Sequence, residues 1–284
     1  MPYTTLVYTA TLAAHLEDPG WVVVDCRHEL GDADAGERAF RAAHVPGARF
    51  LHLDRDLAGP RTGRNGRHPL PDARAFLARL GALGIERDTQ VVVYDAQAGA
   101  MCVRLWWMLR HWLGHEACAV LDGGWPRWVA EGRPQSGAVP QPQPARYEAT
   151  PLQSACVDAD HVLAHLEDER MLLLDARAPE RFAGESETID PVAGHVPGAR
   201  NRPFRENLAA DGRFKAPDAL RAELSALLGT RAPEAVVHQC GSGVSACHNM
   251  LALAHAGLPV GRLYVGSWSE WCADPSRPVA TGRS

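Results

Sequence analysis

The hexapeptide His-Val-Pro-Gly-Ala-Arg occurs twice in this chain, at residues 44–49 and again at 195–200. Three further blocks repeat around it in the same order. Trp21-Val22-Val23-Val24-Asp25-Cys26-Arg27 answers Met171-Leu172-Leu173-Leu174-Asp175-Ala176-Arg177. Val91-Val92-Val93-Tyr94-Asp95 answers Val236-Val237-His238-Gln239-Cys240, and Leu121-Asp122-Gly123-Gly124-Trp125 answers Tyr264-Val265-Gly266-Ser267-Trp268. Such a chain is one folding unit used twice, and any fold proposed for it must accommodate both copies.

Within each copy, short apolar runs alternate with segments of helical periodicity. Phe76, Leu77, Leu80 and Leu83 predict a helix over 72–83. Leu220, Leu224 and Leu227 or Leu228 predict one over 218–228. Cys247, Met250, Leu251, Ala254 and Leu258 predict a third, with Gly257 as its C-terminal cap. Strands alternating with helices imply an α/β fold, with a mainly parallel sheet covered by helices on both faces of each unit. Residues 132–154 are rich in Pro, Gln and Ser, including Pro140-Gln141-Pro142-Gln143-Pro144, and read as an extended linker. The expected organisation is a first domain at 1–135, a linker at 136–154 and a second domain at 155–284.

Charge and cysteine usage narrow the class. The net charge is −5 with no basic stripe, which speaks against nucleic acid as a partner. No apolar run approaches a membrane span, and the first residues lack the basic and apolar regions of a signal peptide. The seven cysteines are scattered without a CxxC pair. That pattern favours a reducing, cytoplasmic setting over a disulfide framework or a zinc site, and nothing else suggests a metal or organic cofactor.

The copies differ where chemistry is expected. Residues 236–246 run from a buried strand through Cys240-Gly241-Ser242-Gly243-Val244-Ser245 into a helix. Glycines let successive N–H groups form an anion-binding nest, and the helix N-terminus adds partial positive charge. A thiol held there is stabilised as thiolate, so Cys240 reads as a nucleophile. The alternative is a structural cysteine at an ordinary strand-to-helix turn. The first copy has Asp95 at this position, and features present in one copy alone point to chemistry rather than scaffold. By the same logic His44 and His195, Asp25 and Asp175, Arg27 and Arg177, and Trp125 and Trp268 read as scaffold. Arg181, Arg202 and Arg205 belong to the second copy alone. The basic run 61–68 belongs to the first, and is either a solvated loop or a cover for the other copy's site.

Asp-x-Arg, His-Val-Pro-Gly-Ala, the strand into Cys-Gly-Ser-Gly-Val-Ser, and Gly-Ser-Trp-Ser-Glu-Trp together resemble the two-domain rhodanese-type sulfurtransferases over nearly the whole chain. The resemblance implies two tandem rhodanese-like domains, the first catalytically empty. The six-residue loop is most similar to that of 3-mercaptopyruvate sulfurtransferases, since thiosulfate enzymes tend to carry basic residues just after the cysteine. The resemblance assigns Cys240 as nucleophile, Ser242 as its activator, and Asp54 and His68 as first-domain residues approaching it. It assigns Arg181 to the donor's carboxylate, with the loop residues Gly241, Gly243, Val244 and Ser245 around the sulfur; Arg177, Arg202 or Arg205 are further candidates to share donor binding. The segment 188–193 lacks the second donor-binding arginine that such enzymes can carry before their Gly-His. The implied reaction moves sulfur from a small anionic donor, through a Cys240 persulfide, to a thiol, a thioredoxin-like protein or cyanide. Thiosulfate as donor, or a non-catalytic sulfur carrier, are the alternatives. A cysteine phosphatase would need an arginine where this loop ends in Ser245-Ala246.

Overall fold

The computed structural model describes residues 1–283. It divides into two compact units that are not contiguous in sequence. The first comprises Met1–Gly59, Leu70–Leu152 and Asp211–Arg213; the second comprises Pro60–Pro69, Gln153–Ala210 and the chain from Phe214 onward. Residues 60–69 therefore fold with the second unit although they precede most of the first.

The first unit holds strands β1 (Leu6–Val7), β2 (Trp21–Asp25), β3 (Arg49–Phe50), β4 (Gln90–Tyr94) and β5 (Cys118–Leu121). All pair in parallel, in the order β1-β5-β4-β2-β3. The second holds β6 (Cys156–Val157), β7 (Leu172–Asp175), β8 (Arg200–Asn201), β9 (Val236–Gln239) and β10 (Arg262–Tyr264). Its order, β6-β10-β9-β7-β8, is the same arrangement, again wholly parallel. Every residue of β4 and of β9 is buried. A central parallel strand has apolar neighbours on both faces, which is why these strands read as valine-rich runs rather than alternating ones.

The helices follow their sequence signals. Asp72 caps the helix Ala73–Ala82 by accepting from the Ala75 N–H at 2.8 Å. Pro217 opens Pro217–Leu228 at a position where its missing N–H costs nothing, and Leu220, Leu224 and Leu228 face the core. Ala246–His255 leaves the Cys240 loop almost entirely buried. Gly257 adopts φ +68° just beyond it, and Leu258 N–H returns to the Leu253 carbonyl, closing the helix end. Between residues 137 and 152 the proline-rich stretch forms no helix. It is pinned along the first unit by Ala145 N–H to the Gly81 carbonyl and by the buried Tyr147 hydroxyl against His115 Nδ1.

The duplicated residues have duplicated surroundings. His44 Nδ1 lies 2.6 Å from the Phe40 carbonyl with its ring stacked on Phe40, and His195 repeats this with Phe182 at 2.8 Å. Arg27 and Arg177 each grip the aspartate two residues earlier from both Nε and the backbone N–H. Each also donates to one backbone carbonyl and lies over a tryptophan, Trp125 or Trp268. Trp268 is fully buried, and Trp125 packs half-buried against the first core. No helix is long and apolar enough to cross a membrane, among the described residues.

Candidate active site

Cys240 follows β9 in the middle of the second sheet, where the ends of parallel strands leave a crevice for ligands. The cysteine and residues 241–244 are buried. The loop is hung from the segment after β10: Trp268 N–H donates to the Cys240 carbonyl and Ser269 N–H to that of Gly241. The Cys240 N–H donates to Ser267 Oγ, which donates in turn to the Tyr264 carbonyl. Ser267 sits at φ +54°, the left-handed region where a side chain is strained; its first-copy counterpart there is Gly124 at φ +55°. Gly243, at φ +71°, lies so close to the Val265 carbonyl that a Cβ could not fit. The N–H groups of Gly241, Ser242, Val244 and Ser245 have no acceptor among the described residues.

The first copy shows what such a loop receives. Asp95, fully buried, takes N–H groups from Gln97 and Gly99 on Oδ1 at 2.8 Å each. Met101 and Cys102 donate to Oδ2 at 2.7 and 2.9 Å. The loop after β4 is thus an anion cradle filled by the chain's own carboxylate. The Cys240 loop occupies the same place in an identical sheet, with sulfur where the carboxylate stood.

Side chains complete the second site. His68 Nδ1 lies 2.7 Å from Ser242 Oγ, and both residues are buried. Arg181 donates from Nε and Nη2 to Glu187 and from Nη2 to Asp190 at 3.0 Å. Its Nη1 lies 3.5 Å from the point that a Cβ on Gly241 would occupy. Arg67 pairs with Asp190, and its backbone N–H donates to Ser269 Oγ at 3.0 Å. Burial pushes the Asp190 carboxyl above its ordinary value, with Arg67 opposing the rise and Glu187 adding to it. Glu187 falls below its ordinary value: burial alone would raise it, but the Asp190 and Ile189 N–H groups and Arg181 outweigh that. Arg177 keeps its charge against burial through Asp175, then Glu187 and Cys240. Burial pushes the thiols of Cys26, Cys102, Cys118 and Cys272 up, Cys272 to about 11, which keeps them protonated and poorly nucleophilic.

The structure thus brings together Cys240, Gly241, Ser242, Gly243, Val244, Ser245, His68, Arg181 and Arg177. It places one expected residue otherwise. Arg202, expected to share donor binding, donates instead to two nearby carboxylates, Glu206 at 2.6 Å and Glu223 at 2.8 Å. Asp54 lies in the first unit, its N–H on His52 Nδ1 and its carboxylate 3.8 Å from His28 Nε2. His28, His52 and Asp54 are the one group close enough to hold a metal among the described residues. His52 has no nitrogen to offer one, since Nδ1 accepts from Asp54 N–H and Nε2 meets the Ala33 carbonyl at 2.8 Å. Sequence reasoning assigned no role to Arg67, Glu187 or Asp190. The basic run 61–68 was the signal for Arg67; Asp190 lies 123 residues away and carries no motif of its own.

The rhodanese-like domain model matches residues 9–131 and again 158–274. A Pseudomonas aeruginosa protein named "Probable 3-mercaptopyruvate sulfurtransferase" is 47% identical over 284 residues, covering 99% of this chain and all of that protein. The thiosulfate sulfurtransferase of Bos taurus is 35% identical over 294 residues, covering 99% of this chain and 97% of its own. Among solved structures, the 3-mercaptopyruvate sulfurtransferase from Leishmania major superposes with a TM-score of 0.83 at 29% identity, over 95% of this chain and 75% of that one. With both halves matched to one domain model and a full-length relative at this identity, the chain belongs to the rhodanese-like sulfurtransferases as a protein of two such domains.

Proposed function

We propose that the chain moves sulfur from 3-mercaptopyruvate to a thiol through a persulfide on Cys240. The observation that carries this reading is Arg181 at the edge of a cysteine loop that has no basic side chain of its own. Thiosulfate is a compact dianion, whereas mercaptopyruvate presents one carboxylate several bonds from its sulfur. A guanidinium beside Gly241, with the loop offering only N–H and hydroxyl donors, suits the second. The name of the Pseudomonas aeruginosa relative agrees.

The Cys240 thiolate attacks the donor sulfur, forming the S–S bond as the C–S bond breaks. The electron pair goes to carbon, giving pyruvate enolate, while the donor's S–H proton stays on the outer persulfide sulfur. That proton then reaches the enolate carbon, leaving Cys–S–S⁻ and pyruvate. The Ser242 hydroxyl and His68 imidazole are hydrogen-bonded and can carry it in either direction. The free loop N–H groups receive the charge on the outer sulfur, as an oxyanion hole receives oxygen. An acceptor thiol, on a small molecule or a thioredoxin-like protein, removes that sulfur and restores Cys240; cyanide can do the same. We place this turnover in the cytoplasm, where acceptor thiols are kept reduced; all seven cysteines are free thiols.

Thiosulfate is the competing donor, favoured by the Bos taurus relative. Steady-state comparison of the two donors with a common acceptor thiol decides between them. The expected result is a kcat/KM at least about tenfold higher for mercaptopyruvate, the minimum for losing a charged contact. Equal or better use of thiosulfate would overturn the donor assignment.

A further inference from the structure

The proline-rich linker closes one side of a cleft in the first unit, the one without a loop cysteine. A Cβ on Gly137 would lie 3.4 Å from the carbonyls of Arg41 and Ala42, at the end of helix Ala35–Ala42. One on Gly84 would meet the Gln143 carbonyl and Pro142 Cβ, just past helix Ala73–Ala82. The linker thus runs from one helix end to the other. Between them lies a cleft of about 280 Å³, close to the roughly 300 Å³ at which small-molecule sites begin. Its apolar lining comes from Phe50 of β3, from Leu83, and from Val139, Pro140 and Pro142 of the linker.

Three arginines line the cleft as well, and two of them are answered. Arg41 donates to Glu37 at 2.7 Å and Arg79 to Asp56 at 2.9 Å. Glu37, the one carboxylate on the lining, is held by Arg41 on one oxygen and by Arg55 on the other. Arg49 has no carboxylate partner among the described residues. Its one hydrogen bond is a long one, from Nη1 to the Gly47 carbonyl at 3.5 Å, and its Nε is buried without an acceptor. Burial pulls its guanidinium below the ordinary value, with no neighbouring charge to offset it. Arg200, at the same place in the second copy, is exposed. A cation in water needs no partner, whereas a half-buried one does.

We propose that this cleft binds a small apolar carboxylate, its charged end on Arg49 and its hydrocarbon body against Phe50, Leu83 and the linker prolines. A guanidinium can give two parallel N–H bonds to one carboxylate. Proline rings add apolar surface with no N–H to satisfy. An inorganic anion would lose its water to these walls and gain nothing from them. The unit without a nucleophile then has a ligand of its own, whichever sulfur donor the other unit uses.

The test follows backbone N–H signals by NMR in the isotope-labelled full-length chain. The probes are benzoate, phenylacetate and 3-phenylpropionate, their uncharged carboxamides, and inorganic phosphate, all at millimolar concentration. At least one acid is expected to shift the signals of residues 47–50 and 83–84 saturably, and its carboxamide to bind about tenfold or more weakly. Arg49→Gln should lose the same factor. Arg49→Lys should keep part of it, since the charge remains but the two-pronged donor is gone. Val139→Asp sets a repelling charge on the rim, where the side chain is 55% exposed and its loss leaves the core intact. It should weaken the acid and not the carboxamide, and it decides the matter alone if Arg49→Gln does not fold. No shift with any of the three acids overturns the site. So does equal binding of acid and carboxamide, or binding of phosphate as tight as that of the acids. A shift confined to residues 241–245 overturns it too, because the carboxylate would then sit at the Cys240 loop.

Discussion

Replacing Asp95 with asparagine tests whether these loops are built around an anion. The carboxylate takes four backbone N–H groups, two on each oxygen, at 2.7–2.9 Å. Asparagine keeps one oxygen and turns an NH₂ group toward two of those donors. A buried donor left without its acceptor costs about 1–3 kcal/mol. Two of them cost roughly 2–6 kcal/mol, and the remaining pair weakens when its acceptor becomes neutral. That is a large share of the 5–15 kcal/mol typical of a domain. Urea unfolding followed by tryptophan fluorescence is the assay, because all of the eight tryptophans except Trp268 and Trp271 lie in the first copy. The first transition should move to lower urea, and further still in Asp95→Ala, which strips all four donors. An Asp95→Asn protein within about 1 kcal/mol of wild type would refute the cradle argument for both copies.

Two other substitutions probe the catalytic loop. Gly241→Ala puts a methyl where Arg67 Nη2 and Arg181 Nη1 converge, without a backbone penalty since Gly241 is not in the left-handed region. It should raise the mercaptopyruvate KM about tenfold or more and leave the melting temperature near wild type. Ser267→Ala keeps the left-handed strain and loses the hydroxyl that holds the Cys240 N–H, whereas Ser267→Gly loses both. Sulfur transfer should fall in each, and the glycine variant should be the more stable by about 1–2 kcal/mol in urea unfolding.

The parts of this molecule that could be read from sequence are those with internal confirmation. Val22–Val24, Val91–Val93 and Leu172–Leu174 announce central parallel strands because burial on both faces removes alternation. The two-residue edge strands, Leu6–Val7, Arg49–Phe50, Cys156–Val157 and Arg200–Asn201, are too short to carry any period. The π-helical turn at Met108–Trp112 likewise leaves no mark in the apolar pattern. At the site, Cys240 stood out because Asp95 replaces it in the other copy. Arg202 was misread for a local reason: Glu206 lies four residues on, within side-chain reach, and claims its guanidinium. Arg67 and Asp190 were out of reach for the opposite reason. Their pairing depends on where the chain carries residues 60–69, and no local propensity encodes that. Arg181, expected to meet the donor's carboxylate, lies with Arg67 beside the residue next to the nucleophile. Their charge is answered by Asp190 and Glu187.

The two cradles also predict how sulfur itself should affect stability. In the first copy the acceptor is a covalent part of the chain, and it takes four loop N–H groups. In the second, four loop N–H groups have no acceptor among the described residues, so the resting loop forgoes what its counterpart gains. A persulfide anion on Cys240 extends one atom further than the thiolate and supplies a diffuse negative charge for them. Each charged hydrogen bond formed is worth about 1.5–3 kcal/mol before the cost of burying the charge. A net gain of about 1–2 kcal/mol would raise the melting temperature of a unit this size by about 2–8 °C. Donor-treated wild-type protein, freed of excess donor, should therefore melt higher than untreated protein and return to its starting value when an acceptor thiol is added. Cys240→Ser carried through the same treatment should not shift, which separates sulfur on this residue from sulfur elsewhere. A loaded protein that melts at or below the unloaded one would mean that the loop does not receive charge. Asp95 would then be a structural solution peculiar to its own copy rather than a fixed image of the catalytic intermediate.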